Sequence, residues 1–499
     1  MKRSFVVLAA VVMTALLLVA CGGGATPAPT AAPVAAPTKA PEPTKAPEPT
    51  KAPEATTAPE VKPTAAAAMP ADMSAGATEA SARAAGLTAL ADAYAGKYKG
   101  KVVTMTGPFT GQDEVVFNNS MKEFKDKTGI DIQYAGTKQF ETEISVRAQA
   151  GNLPDIVDFP QPGLLNTFVQ QGKVKPVTDS VPEAWLKTNY IQSWLDMATM
   201  TGKDGKPAMY GLWQRFNGKS LVWYPKKAFD AAGYKVPTTW DELMKLQDQI
   251  ASDGDTPWCI GIESGAATGW PATDWTEDMM LRTTSLANYD KWVKGELKFS
   301  SPEVKKAIET FAKIWNDPKM VYGGTAAIVS TSFGDSTAPM FQNPPKCWLH
   351  RQGNFITSFF PKEAKAGVDY DFFYLPPIDP QYGKPFLVAG DIMAAFSDKP
   401  ETQAVMQLFS TGEGIKGWLA AGGALAPQKD AQLEWYGSET ERGIAKIANE
   451  ATAVRFDASD LMPGAVGSGS EWKGFTDFFS GSADLDTVLK EIDASWPAK

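Results

Sequence analysis

Between residues 102 and 159 the spacing of apolar side chains switches period repeatedly, and that alternation narrows the folds open to the chain. Residues 102–105 read as a strand, and 113–128 as a helix with Phe117, Met121 and Phe124 on one face, stopped by Gly129. Ile130, Ile132 and Tyr134 then alternate as in a strand. A second helix over 138–150 carries Phe140, Ile144 and Ala148 at spacing four, and 155–159 closes the series as a third strand. A β-α-β-α-β run predicts an α/β domain with a parallel sheet, because each helix must carry the chain back to start the next strand. Ligands in such sheets sit beyond the carboxyl ends of the strands, which singles out residues 107–112, 136–139 and 159–161, Gln139 and Gln161 among them.

Further along, Thr239-Trp240-Asp241-Glu242 has the form of a capping box that opens a helix to about residue 250. Helical spacing recurs over 302–316, 400–409 and 485–495. Some 400 residues follow Lys101, more than one core usually serves, so two lobes are expected.

The region before this body has a different character. Met1-Lys2-Arg3 followed by an apolar run from Phe5 to Ala20 is the pattern of an export signal, too short for a membrane-spanning helix. It ends in Leu18-Val19-Ala20-Cys21-Gly22, which resembles a bacterial lipobox, so Cys21 is the expected lipidation site after removal of residues 1–20. Residues 22–70 are Ala, Pro, Thr, Lys and Glu, with Pro-Thr-Lys-Ala-Pro-Glu three times in succession from Pro37 to Glu54. Such a composition buries no core and favours extended polyproline geometry, reaching ~150 Å if fully stretched. The Ala-rich stretch 71–98 either continues this tether or docks as a helix on the body.

The formal charge of −9 and pI near 5.0 argue against nucleic acid or an anionic membrane surface as the partner. With Cys21 set aside, Cys259 and Cys347 form an even pair in an export-competent chain; a bridge and two separate buried thiols both satisfy that count. A single histidine, His350, rules out multi-His metal sites and is expected to be structural. Gly218-Lys219-Ser220 resembles the tail of a phosphate loop, but Trp213 stands where the leading glycine is required. What remains is aromatic residues set among Gly, Pro and Asp in expected loops: Trp270 to Trp275, Cys347-Trp348, and Ser470-Glu471-Trp472. Sugar rings present apolar C–H faces to aromatic rings and hydroxyls to carboxylates and amides, so such clusters suit a saccharide. Burial in the core is the competing expectation for each of these tryptophans.

Three passages carry a wider likeness: Gly151-Asn152-Leu153-Pro154-Asp155-Ile156; Leu221-Val222-Trp223-Tyr224-Pro225-Lys226 through Ala232-Gly233 to the capping box and Leu243; and Met462-Pro463 to Trp472. Over nearly all of residues 101–499 the chain resembles the bacterial extracellular solute-binding protein family of ABC importers, which includes maltose-binding protein, and within it the alpha-glucoside and oligosaccharide-binding lipoproteins. It departs from the family pattern at Tyr224-Pro225-Lys226, where Tyr-Asn-Lys is usual, and at Pro339-Met340 before Cys347-Trp348.

The resemblance implies a two-lobed periplasmic-binding-protein-like α/β fold with a hinge and an inter-lobe cleft. It places the crossings near 215–218 and 386–390, giving one lobe as 99–215 and 388–430 and the other as 216–387, closed by a C-terminal segment 431–499. It implies ligand contacts at Trp348, Trp472 and Phe159, with Trp270, Trp275 and Asp274 near a further stacking position. Asp391 at the return crossing is expected to accept sugar hydroxyls or to cap backbone, and Arg215 and Asn217 sit at the first crossing. The implied protein is a monomeric, lipid-anchored, extracytoplasmic carrier without cofactor or metal and without enzymatic activity. It hands a small sugar to an ABC permease and touches the membrane only through lipid. A surface glycoside hydrolase, or a same-fold binder of polyamine, metal or peptide, are the alternatives.

Overall fold

The computed structural model describes residues 77–497, which fall within one compact unit. The expected export signal, the expected lipidation site Cys21 and the proline-rich repeats lie outside the described residues. Strands β1 (Val102–Gly107), β2 (Asp131–Gly136) and β3 (Ile156–Phe159) run parallel in the order β3-β1-β2, as the changes of period require. The first intervening helix is split at Met121 into Gln112–Ser120 and Lys122–Thr128, and the second is Phe140–Gln149.

A hairpin of β4 (Thr199–Thr201) and β5 (Pro207–Met209) leads into β6 (Leu212–Gly218), after which the chain enters a second sheet. That sheet comprises β7 (Leu221–Tyr224), β8 (His350–Arg351) and β9 (Asp371–Tyr374), antiparallel in the order β8-β7-β9. The chain returns through β10 (Pro385–Ala395), which pairs antiparallel with β6 and β3 and parallel with β11 (Ala453–Phe456).

Two hydrophobic cores result. The first gathers Val103, Ile156, Val405, Phe409 and Trp418 about the large sheet; the second gathers Trp258, Met279, Phe311, Phe475 and Ile492. Strand β7 lies between them, and its two-residue period sends Leu221 and Trp223 into the first and Val222 and Tyr224 into the second. Because β11 pairs with β10, Ile444 and Phe456 belong to the first core and Ala458 begins the contribution to the second. Residues 436–456 thus contribute to the first core before the chain joins the second at Ala458.

Local signals act where expected. Thr239 and Glu242 complete their capping box on helix Trp240–Ser252, a cap of ~1 kcal/mol. Helix Pro302–Trp315 buries Val304, Ile308, Phe311 and Trp315, whose spacing forms one stripe; each large side chain so buried contributes about 1.5–3 kcal/mol. The Ala-rich stretch forms helices Glu79–Ala84 and Thr88–Tyr94, and it docks: Leu87 and Leu90 are buried in the first core, and the Leu90 N–H donates to Gln407 Oε1 at 2.8 Å. Cys259 and Cys347 are joined in a disulfide. His350 is buried, its Nδ1 2.8 Å from the Cys259 carbonyl, and burial pushes its pKa down to about 4, so it stays neutral as a structural residue.

Candidate functional site

Strands β6 and β10 form the floor of the space between the lobes. Their antiparallel register sets Arg215 opposite Asp391 and Asn217 opposite Ala389, with an irregularity after Asp391. Alternation turns Arg215 and Asn217 toward the cleft, while Gln214 donates to the Gly414 carbonyl and Phe216 packs on Trp194 behind the sheet. Gly390 lies in the same floor: a Cβ there would come within 2.7 Å of the Arg215 carbonyl, so a larger residue would push the strands apart.

Arg215 is held on three sides. Its Nε donates to Asp391 Oδ2 at 2.6 Å, and its guanidinium carbon lies 4.1 Å from the Trp418 ring centroid and 4.4 Å from that of Phe109. Among the described residues, Arg215 Nη1 has no hydrogen-bond partner. Neither do Asp113 Oδ1, Asn217 Oδ1 and Gln161 Oε1, all belonging to buried residues that line the same cavity. Burial pushes the Asp113 carboxyl up to about 6 against the pull of Arg215. Buried polar atoms left open on a cavity wall are positioned to bond what enters it.

The second lobe contributes rings. Trp270 begins helix Trp270–Thr283 and packs on Phe333 at 5.1 Å and Phe355 at 5.8 Å between centroids, while Trp472 begins helix Trp472–Ser480 on the same cavity. Behind them Lys219 Nζ lies 2.6 Å from both Asp274 Oδ1 and Asp457 Oδ2 and 5.2 Å from the Trp270 centroid. Burial pushes the Asp274 carboxyl up to about 7. At Asp457 the same upward push is outweighed by the Lys219 charge and a bond from Glu277, which hold it at about 2. Burial, then the charges of Asp457 and Asp274, raises Glu277 well above the carboxylate range, so it keeps the shared proton. Oxygens of Asp274, Glu277 and Asp457 lie within 4.8 Å of one another, but the Lys219 ammonium already supplies the cation.

The lobes meet across the mouth. The Ala266 N–H donates to the Lys138 carbonyl at 2.9 Å, and the cavity enclosed is about 150 Å³. Gly265 permits this approach: its φ is +61°, and a Cβ would sit 2.3 Å from that carbonyl. The structure is thus a closed form.

Of the residues expected from sequence, the structure brings Trp472, Trp270, Asp391, Gln161, Arg215 and Asn217 to the cavity. It does not bring Trp348, Phe159, Trp275, Asp274 or Gln139 to its wall. Trp348 follows a cysteine bridged to Cys259 and turns inward, 5.0 Å edge-on from Tyr234. Phe159 ends β3, a strand buried on both faces, and packs on Phe140 and Phe168. Trp270 to Trp275 is helix, not loop, with Pro271 in its first turn, and five residues at about 100° each put Trp275 well round from Trp270, against Trp258 and Phe311. Asp274, one turn on from Trp270, is taken by Lys219. Gln139 is exposed at the rim beside Gly265. Ser470-Glu471-Trp472, also expected as loop, lie where a wide helical turn, Val466–Glu471, runs into the Trp472 helix.

Sequence reasoning missed Asp113, Lys219 and Asp460, while Phe109 falls in the strand-end stretch 107–112 that it singled out. Lys219 lay inside the rejected phosphate-loop match, and its place one residue past the crossing strand was the usable signal.

The model of the bacterial extracellular solute-binding protein family matches residues 110–420, a span that holds both crossing strands and most of the cleft wall, with Phe109, Asp457 and Trp472 outside it. The chain belongs to this family. Solute-binding proteins of this family serve ABC importers, and the curated relatives are named as binding proteins. The osmoprotective compounds-binding protein GgtB of Synechocystis is 43% identical over 397 residues, 80% of this chain and 93% of its own. The alpha-glucosides-binding periplasmic protein AglE of Rhizobium meliloti is 42% identical over 402 residues, 80% of this chain and 87% of its own. Among solved structures, the solute receptor AcbH superposes with a TM-score of 0.67 at 18% identity, covering 79% of this chain and 98% of that one, a likeness of fold. This solute-binding protein therefore has the two-lobed architecture expected from its sequence.

Proposed function

We propose that the cleft captures a neutral, hydroxyl-rich saccharide, an alpha-glucoside or small oligosaccharide, and that an ABC permease takes it from the closed form. The observation that carries this reading is the division of the cavity wall: open donor and acceptor atoms of Arg215, Asn217, Asp113 and Gln161 on the floor and first lobe face Trp270 and Trp472 on the second. Hydroxyls bond the first set and C–H faces stack on the second. Closure is then stabilised by contacts the ligand makes only when both lobes reach it, with the Lys138–Ala266 bond completing the mouth. The alpha-glucosides in the name of one relative support this ligand class. No bond in the ligand is broken, and no cofactor takes part.

The same reading keeps Cys21 as the lipid-bearing residue, the repeats as the tether, and a monomer at the outer face of the cytoplasmic membrane. Titration calorimetry with maltose, trehalose, sucrose and raffinose tests the ligand class. Saturable binding of at least one saccharide, recovered intact, is expected. Absence of heat with all four at millimolar concentration overturns the reading, and release of monosaccharide would favour a hydrolase.

A further inference from the structure

The second lobe and its junction set the buried polar side chains Lys219, Asp457, Ser459 and Asp460 on the cavity wall. The first three are spent on one another. Lys219 Nζ donates to Asp457 Oδ2 at 2.6 Å, and Ser459 Oγ donates to Asp457 Oδ1 at 2.9 Å. Asp460 differs. Its backbone N–H donates to Asp457 Oδ1 at 3.1 Å, which fixes the single turn Ala458–Leu461, and Ala458 and Met462 on either side are buried in the second core. Its carboxyl group, on a residue only 6% exposed, has neither a hydrogen-bond partner nor an ion pair among the described residues. The backbone is thus held while the side chain stays open on the cavity.

A buried carboxyl without partners is costly, so the position is stable only if something in the cavity bonds it. Burial, then the charge of Asp457, raises the Asp460 carboxyl well above the ordinary range, so it keeps its proton. In that form it carries one O–H donor and an acceptor oxygen, the same pairing capacity as an alcohol. With the saccharide reading of the cleft as its basis, we propose that Asp460 is a ligand-binding residue whose carboxyl exchanges hydrogen bonds with one saccharide hydroxyl. The second lobe then bonds the ligand as well as stacking on it through Trp270 and Trp472. Because the turn that carries Asp460 is anchored on Asp457, the carboxyl cannot follow a displaced ligand, and the contact selects for a hydroxyl at one ring position.

The test is calorimetry on the full-length protein with maltose, trehalose, sucrose and raffinose, followed by monodeoxy analogues of the sugar bound most tightly. Asp460→Ala should weaken binding by about tenfold without lowering the Tm of the ligand-free protein, and Asp460→Asn, which keeps a donor and an acceptor, should recover most of the loss. One monodeoxy analogue should bind wild type about tenfold more weakly than the parent sugar yet bind Asp460→Ala no more weakly than the parent does, the non-additivity of two groups in contact. If Asp460→Ala does not fold, Asp460→Leu serves, with the same results expected. Wild-type affinity in the apolar variant, a loss that Asp460→Asn does not relieve, or analogues that lose equally against both proteins each overturns the assignment. Absence of binding to wild type by all the sugars is a separate result, which overturns the saccharide reading and this assignment with it.

Discussion

The two lobes bring charge to the cleft in opposite ways. On the second lobe Lys219 is bonded by Asp274 and Asp457, and Arg351 lies between Asp278 and Asp274, so their charges are balanced within the lobe before any ligand arrives. On the first lobe and its crossing strands, Arg215 spends Nε on Asp391 and keeps Nη1 open, and Asp113 keeps an oxygen open. Paired charges stiffen a wall, and an open polar atom on a cavity wall can bond what touches it. On the proposed reading, hydrogen-bond recognition falls mainly to the first lobe and stacking to the second.

Breaking the floor gives the largest effect. Asp391→Ala leaves Arg215 buried and unpaired, and urea denaturation should show a loss of about 3–5 kcal/mol together with loss of ligand binding. A stable variant that still binds would mean that the pair is not part of the recognising surface. The next comparison sets a core ring against a cleft ring. Trp348→Ala should lower stability by about 3 kcal/mol yet keep saccharide affinity within threefold, because its ring faces Tyr234. Trp472→Ala should weaken affinity by about 1–3 kcal/mol by calorimetry. Reversed outcomes would exchange their roles.

At the mouth, Gly265→Ala meets both a positive φ and the Lys138 carbonyl, so closure should weaken and affinity fall by about 1 kcal/mol. Small-angle scattering with ligand should then show a larger population of open molecules; a wild-type profile and affinity would show that the latch is dispensable.

The smallest effect is pH dependence. A saccharide hydroxyl bonds the ionised Asp113 best, so affinity should fall as pH drops through about 6, and Asp113→Asn should flatten that part of the profile. Ligand-free stability carries the opposite sign. A folded pKa raised above the ordinary value means that the folded form binds the extra proton, so this group's contribution to stability is present below about 4 and lost as pH rises to about 6. An affinity constant from pH 5 to 8 would remove Asp113 from the ligand shell.

The periodicities of residues 102–159, the capping box at Thr239 and the stripe in helix 302–315 each name an element without help from the rest of the chain, because they rest on backbone geometry and on which face is apolar. The crossings were readable near 215–218 and 386–390 through the family likeness, and the strands there do pair. Whether a tryptophan stacks on ligand or on core was not readable. Trp348 and Trp472 are both less than one-tenth exposed, and the neighbours supplied by distant segments separate them.

The sequence alone therefore determined the order of elements over residues 102–159, the α/β class and the composition of a long segment poor in large apolar side chains. Tertiary structure decided the rest: that Asp274 belongs to Lys219, that Asp113 faces the cleft, and that Cys259 reaches Cys347. Local order follows from interactions within a turn or two of chain, whereas a binding site is assembled from side chains far apart in sequence, as Arg215 and Asp391 are, and exists only when packing brings them together.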